Sequence, residues 1–143
     1  MTNRTAARAL LNQATVVLEE ARSLRQRGAW NLVVRRCQEV VELCLKAALR
    51  AAGVEVPRLH DVGATLRAHA ARFPDRLRQE VTELAAISRR LARERELAFY
   101  GDEETDTPPQ DLYGESDAER ALADAERVVS WTEAVFRGLP AGG

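Results

Sequence analysis

Two groups of residues in this 143-residue chain have the types and spacing for chemistry. The first is Gln38, Glu42 and Lys46, followed by His60 and Asp61. Steps of four place the amide, the carboxylate and the ammonium on one flank of a helix, each within reach of the next. Lys46 is the only lysine beside twenty arginines, so its position is conspicuous. A Glu42–Lys46 pair contributes only a few tenths of a kcal/mol on a surface, about 0.2–0.5; inside a bundle it fixes register or lines a polar pocket. His60 is a candidate for ligand binding or proton transfer. The alternative is a structural histidine beside an N-cap at Asp61.

The second group is Arg89, Arg90, Arg93 and Arg95 with Phe99 and Tyr100. Guanidinium forks suit phosphates, and aromatic rings offer a face to a base. A functional surface is expected around Arg89, Arg93, Arg95 and Tyr100, facing the acids Asp102, Glu103 and Glu104. The competing reading pairs Arg93 and Arg95 with Glu94, Glu96 or those acids and lets the rings close the core. Other chemistry is not supported. Cys37 and Cys44 lie seven apart on one helix, about 10.5 Å, too far for a disulfide. Both fall on an apolar stripe and read as buried structural thiols. Asp102, Glu103, Glu104 and Asp106 lack the alternating ligands, central Gly and closing Glu of an EF-hand loop. His69 receives no role. No metal and no cofactor is expected.

These residues need helices to position them, and the apolar periodicity supplies five. The first spans 3–26, with Ala7, Leu10, Leu11, Ala14, Val17, Leu18, Ala21 and Leu24 as its stripe and Thr2 or Asn3 as its cap. The second spans 30–52 and carries the widest stripe, from Trp30 to Ala52, closed by Gly53. A short third helix covers 62–71, behind Asp61 as N-cap. A fourth covers 75–97, opened by Pro74. The acidic loop 101–115 contains Pro108 and Pro109, which a helix interior excludes. A fifth helix covers 117–137, opened by a capping box from Ser116 to Glu119. Amphipathic helices on mostly short connections predict an all-α, up-and-down bundle with the second helix at its centre. Trp30 and Trp131 are expected at or near its edge.

The order Gln38, Glu42, Lys46, Ala47, then Gly53, Pro57 and His60-Asp61, resembles the HEPN family, a small helical module of prokaryotes and a few large eukaryotic proteins. The resemblance covers essentially the whole chain, 1–143, as one HEPN-like domain. It implies the same helical bundle and a homodimer. Many members are ribonucleases that place a histidine four to six residues after an arginine, near the bundle's end and at a dimer interface. Here Arg95 is followed five positions later by Tyr100, and no histidine follows His69. Tyrosine, with a pKa near 10, is a poor base at neutral pH. The string Arg95, Glu96, Ala98, Tyr100, Gly101, Asp102 instead resembles a sub-group usually encoded beside a small nucleotidyltransferase. The resemblance therefore implies a non-catalytic module that binds a nucleotide or a nucleotidyltransferase partner in a toxin–antitoxin-like pair. Its candidate contacts are Arg89, Arg93, Arg95, Tyr100, Lys46 and His60. A ribonuclease with a degenerate Arg/His motif and a purely structural helical dimer stay open as alternatives.

Composition fits these expectations. Hydrophobic residues make up 45% and charged residues 30%, ordinary for one globular domain rich in Ala, Leu, Arg and Glu. No apolar run is long enough to span a membrane, and no signal or lipidation pattern is read, so a cytoplasmic location is expected. The formal charge of −1 hides a division. Residues 1–100 carry 18 basic against 11 acidic side chains, and residues 101–143 carry 3 against 11. A basic body suits an anionic ligand such as a nucleotide or RNA. The alternative is that scattered arginines simply solvate helix faces.

Overall fold

The computed structural model describes residues 3–140. Six α-helices build it: α1 (Asn3–Gln26), α2 (Trp30–Ala51), α3 (Gly63–Ala68), α4 (Asp75–Arg78), α5 (Val81–Tyr100) and α6 (Glu115–Gly138). Single 3₁₀ turns occupy Ala70–Arg72 and Pro109–Asp111. Among the described residues there is no strand, only an isolated antiparallel bridge between Asp102 and Thr107. The bundle is all-α, as the periodicity predicts. Thr2, one of the expected caps of the first helix, lies outside the described residues.

The packing follows from side-chain size. On α1 the buried residues are Ala7, Leu11, Ala14, Leu18 and Ala21, a four-three repeat that alternates small and large. The alanines let α2 approach closely, and Gly28, at φ 71°, turns the chain between the two helices. Twelve of the 22 residues of α2 are buried, from Asn31 to Leu49. A helix covered over so wide an arc needs partners on several sides, and α2 packs against α1, α5 and α6.

The differences from expectation have identifiable causes. The fourth helix is two helices, not one over 75–97. The Leu77 carbonyl accepts from the Glu80 N–H at 3.2 Å and from the Trp131 indole N–H at 2.9 Å, and the chain turns there. Trp131 is accordingly core, 3% exposed and edge-on to Phe73 at 5.1 Å, rather than at an edge. α6 begins at Glu115, because the Asp117 carboxylate accepts the Gly114 N–H at 2.9 Å. The expected partner of Ser116, Glu119, instead pairs with Arg25 at 2.5 Å. α2 ends at Ala51 and α3 at Ala68, each short of the expected boundary.

Two anchors position the residues of interest. Asp61 Oδ1 accepts the Gly63 N–H and the Ser88 hydroxyl, both at 2.9 Å, while Ser88 Oγ accepts the Val62 N–H at 3.1 Å. Asp61 thus caps α3 from one residue further out than expected, and it ties the loop bearing His60 to α5. Gly63 permits this crossing: a Cβ there would lie 2.8 Å from the Ala85 carbonyl oxygen. At the far end Gly101, at φ 81°, stops α5. Asp102 then folds the acidic loop onto itself, accepting the Glu104 N–H at 3.0 Å through its carboxylate.

Candidate functional site: a polar cleft between α1, α2 and α5

The four-residue spacing on α2 becomes a ladder of contacts. Gln38, 1% exposed, donates from Nε2 to Glu42 Oε1 at 3.0 Å. One turn on, Lys46 Nζ donates to Glu42 Oε2 at 2.8 Å. The loop tied down by Asp61 brings His60 Nδ1 within 2.9 Å of Glu42 Oε1. From α5, Arg95 Nη1 donates to Gln38 Oε1 at 2.7 Å. Five side chains from three segments therefore form one connected network, with buried Gln38 and half-buried Glu42 as its middle.

The charges in this network are unequal. Burial alone would raise the Glu42 carboxyl, but hydrogen bonds from Lys46, Gln38 and His60, together with the Lys46 charge, outweigh it and hold Glu42 below its ordinary value. Glu42 is an acceptor only. Arg36 is likewise matched, donating to Glu39 at 2.7 Å, a bond that raises its pKa. Arg95 is not matched. Its side chain is 18% exposed, its buried Nε has no hydrogen-bond partner among the described residues, and the nearest carboxylate oxygen, on the exposed Glu96, is 4.0 Å away.

Arg95 and His60 open onto a cleft of about 320 Å³, completed by Gln13 and Val17 of α1 and by Arg36, Glu39, Glu42 and Leu43 of α2. That volume is at the lower end of the roughly 300–1,000 Å³ typical of small-molecule sites. Its polar groups can hold an anion at Arg95 and exchange a proton or a hydrogen bond at the outer imidazole nitrogen of His60.

The structure divides the expected contacts into two places. Lys46, His60 and Arg95 meet at or behind the cleft. Arg89, Arg93 and Tyr100 do not join them. At about 100° per residue, Arg93 and Tyr100 sit roughly 160° and 140° around α5 from Arg95. Arg89 and Arg93 are exposed, and Tyr100, 61% exposed, meets Phe99 edge-on at 4.9 Å. The Arg35 guanidinium covers the other ring of that pair, 4.8 Å from the Phe99 centroid, and donates to the Arg95 carbonyl at 2.8 Å. The acidic loop does not shield the arginines as expected: among the described residues no ion pair joins Arg89, Arg93 or Arg95 to Asp102, Glu103 or Glu104. Arg90 is committed to Asp124.

Sequence reasoning missed Gln13, Arg36 and Glu39. For Arg36 and Glu39 a signal existed, since they fall three apart on the flank that leads to Glu42. Gln13 carried none; only the docking of α1 brings it to the cleft. Cys37 and Cys44 are buried free thiols, both pushed up to about 12 by burial, as their place on the stripe indicates.

The sequence pattern of the HEPN domain matches residues 7–135. The fold is similar to the crystal structure of an archaeal HEPN homologue, with a TM-score of 0.69 and 24% identity over 91% of this chain and 97% of that one. It is also similar to the crystal structure of a protein from Thermus thermophilus, with a TM-score of 0.72 and 25% identity over 90% of this chain and 96% of that one. No curated protein matches the sequence. Since the domain pattern runs from the first buried residue of α1 to the last turn of α6, over helices arranged as in that archaeal homologue, the chain belongs to the HEPN family.

Proposed function

We propose that this chain is a non-catalytic HEPN module that binds a nucleotide by its phosphate in the cleft between α1, α2 and α5. Arg95 carries the reading. Arg36 in the cleft is matched by Glu39, and Lys46 is matched by Glu42, whereas Arg95 lines the cleft with no carboxylate oxygen nearer than 4.0 Å. A phosphate oxygen would give this guanidinium the anionic partner that Gln38, a neutral acceptor, does not supply.

The non-catalytic part rests on proton inventory. Cleaving a phosphodiester calls for a general base and a general acid. Among the described cleft residues, Glu42 accepts from three donors and Glu39 is paired with Arg36, which leaves the outer nitrogen of His60 to exchange a proton. The residue five after Arg95 is Tyr100, on the far side of α5.

The exposed face of α5 favours a second function beside the first. Leu97 and Tyr100, exposed at 38% and 61%, follow the unpaired Arg93 by four and seven residues on one side of α5, with Arg89 one turn before it. Such a basic, aromatic patch suits a protein partner, in this reading a small nucleotidyltransferase encoded alongside in a toxin–antitoxin-like pair.

Calorimetric titration with adenosine mono- and triphosphates tests the first reading. Arg95→Ala should weaken binding about 10- to 100-fold, the worth of one charge-assisted contact, and added salt should weaken it further. Arg89→Ala/Arg93→Ala should leave nucleotide affinity unchanged and weaken capture of the adjacently encoded nucleotidyltransferase. Binding that ignores Arg95→Ala defeats the cleft assignment.

A further inference from the structure

Beyond an anion, the cleft wall offers a second kind of contact, and the way His60 is held determines which. Gln38 and Glu42 stand four residues apart on α2, about 6 Å along its axis. The first fixes Arg95 through Nη1 at 2.7 Å and the second fixes His60 through Nδ1 at 2.9 Å. Glu42 also accepts from Gln38 and Lys46 and stays ionised, so it can only accept from the ring. The imidazole nitrogen that faces it therefore carries the proton. In a neutral ring this leaves Nε2 with a lone pair and no hydrogen, an acceptor. Nε2 is accessible, since the His60 side chain is 57% exposed at the cleft.

The wall thus presents a cationic fork and, held through the same Gln38–Glu42 pair, an imidazole whose neutral form offers an acceptor. A fully ionised phosphate satisfies the fork but has no hydrogen for the acceptor. A deoxyribose 3′-phosphate lacks one beside the phosphate as well. A ribose with phosphate on one carbon and hydroxyl on the next has both, and the 2′-hydroxyl is the group by which proteins tell ribose from deoxyribose.

We infer that the cleft selects ribonucleotides bearing a phosphate and a hydroxyl on neighbouring ribose carbons, with Arg95 holding the phosphate and His60 Nε2 accepting from the hydroxyl. This rests on the nucleotide-binding reading above and adds the sugar to it. His60 is then the residue that sets sugar specificity, and Glu42 is a positioning residue that acts through its tautomer.

The experiment is calorimetric titration at pH 8, above the ordinary imidazole range, with adenosine 3′-monophosphate and 2′-deoxyadenosine 3′-monophosphate. Wild-type protein should bind the ribonucleotide about tenfold more tightly, the worth of one hydrogen bond left unmade by the deoxy sugar. His60→Ala should bring that ratio close to one, through loss on the ribonucleotide side. Arg95→Ala should weaken both ligands and keep the ratio. In ¹⁵N spectra of the free protein, Nδ1 of His60 should be the protonated nitrogen, a signature that a merely structural histidine has no need to show. Equal binding of the two nucleotides by wild type overturns sugar selection and leaves nucleotide binding standing. A ratio that survives His60→Ala, or a ring protonated at Nε2, overturns it too. If neither nucleotide binds, the nucleotide reading falls and takes the selection with it.

Discussion

Replacing Gln38 by leucine tests whether the buried amide is what holds the site together. Gln38 is 1% exposed, accepts from Arg95 Nη1 at 2.7 Å and donates to Glu42 Oε1 at 3.0 Å. Leucine fills a similar volume and makes neither contact. Arg95, 18% exposed and already lacking a partner at Nε, would then have two unpaired donors, while Glu42 keeps Lys46 and His60. Losing a hydrogen bond to a charged group costs about 1.5–3 kcal/mol, and two such bonds are lost. The extra apolar burial of leucine offsets roughly 1–2 kcal/mol of that. The net expectation is a loss of about 2–4 kcal/mol, a large share of a typical 5–15 kcal/mol total. At about 3 °C per kcal/mol for a domain of this size, Tm falls by about 6–12 °C. Urea titration followed by tryptophan fluorescence should show a lower midpoint with the slope unchanged. The double variant Gln38→Leu/Arg95→Met should recover roughly half the loss, because turning both partners apolar removes the unsatisfied charge. A single variant within about 0.5 kcal/mol of wild type, or a double variant less stable than the single, would refute the bridging role.

Three further outcomes follow from the same geometry. Gly63→Ala puts a Cβ 2.8 Å from the Ala85 carbonyl oxygen and 3.2 Å from its Cα, both backbone; overpacking of this kind should destabilise by about 1–3 kcal/mol, and an unchanged Tm would deny the close α3–α5 crossing. Glu42 is held below its ordinary value, so its stabilisation is complete above the unfolded carboxyl range near about 4.3 and is lost as pH falls through that range toward the folded value. The Tm gap between wild type and Glu42→Gln should therefore be constant from about pH 6 to 5 and shrink toward pH 3; a gap that widens on acidification contradicts the sign. The thiols of Cys37 and Cys44, buried and pushed up to about 12, should react with an aromatic disulfide reagent in native protein no faster than the chain unfolds. A fast phase before unfolding would place one of them at the surface.

The helices were legible because their stripes are wide and long, and periodicity reports burial directly. What periodicity could not report was where a helix ends when a distant side chain decides it. The turn between α4 and α5 involves the Trp131 indole at the Leu77 carbonyl, a contact 54 residues away in sequence. The start of α6 is set by Asp117 at the Gly114 N–H, and Ser116 and Glu119 made a capping pattern just as plausible on paper. In the site, the α2 rungs were legible because they are local, four residues apart. The pairing of Arg95 with Gln38 was not, since it joins two helices across 57 residues. Arg93 and Arg95 are neighbours in sequence, but a two-residue step on a helix turns roughly 160°, so closeness in sequence does not put them on one face.

The segregation of charge along the chain has a different meaning in the fold than in the sequence. A basic first hundred residues and an acidic remainder suggested an anionic partner from outside. Much of that partner is α6. Its Glu119 meets Arg25 at 2.5 Å, its Glu126 meets Arg22 at 3.0 Å, and its Asp124 is bound to Arg90. In return its Arg127 reaches Glu83 at 2.6 Å on α5. Exposed pairs of this kind contribute little to stability, typically below about 1 kcal/mol each, but they cancel the field that a bare basic face would project. Selectivity for an anion therefore cannot come from the net charge of the body. It has to come from where single cations are placed: Arg89 and Arg93 stand on the open face of α5, and Arg95 lines the cleft. Arg95 lines the cleft with a largely covered side chain whose nearest carboxylate oxygen is 4.0 Å away, and in surroundings of low polarisability one such charge counts for more than several exposed ones. In the proposed reading, a phosphate is recognised by a side chain that α2 holds through Gln38 rather than by the arginine-rich composition.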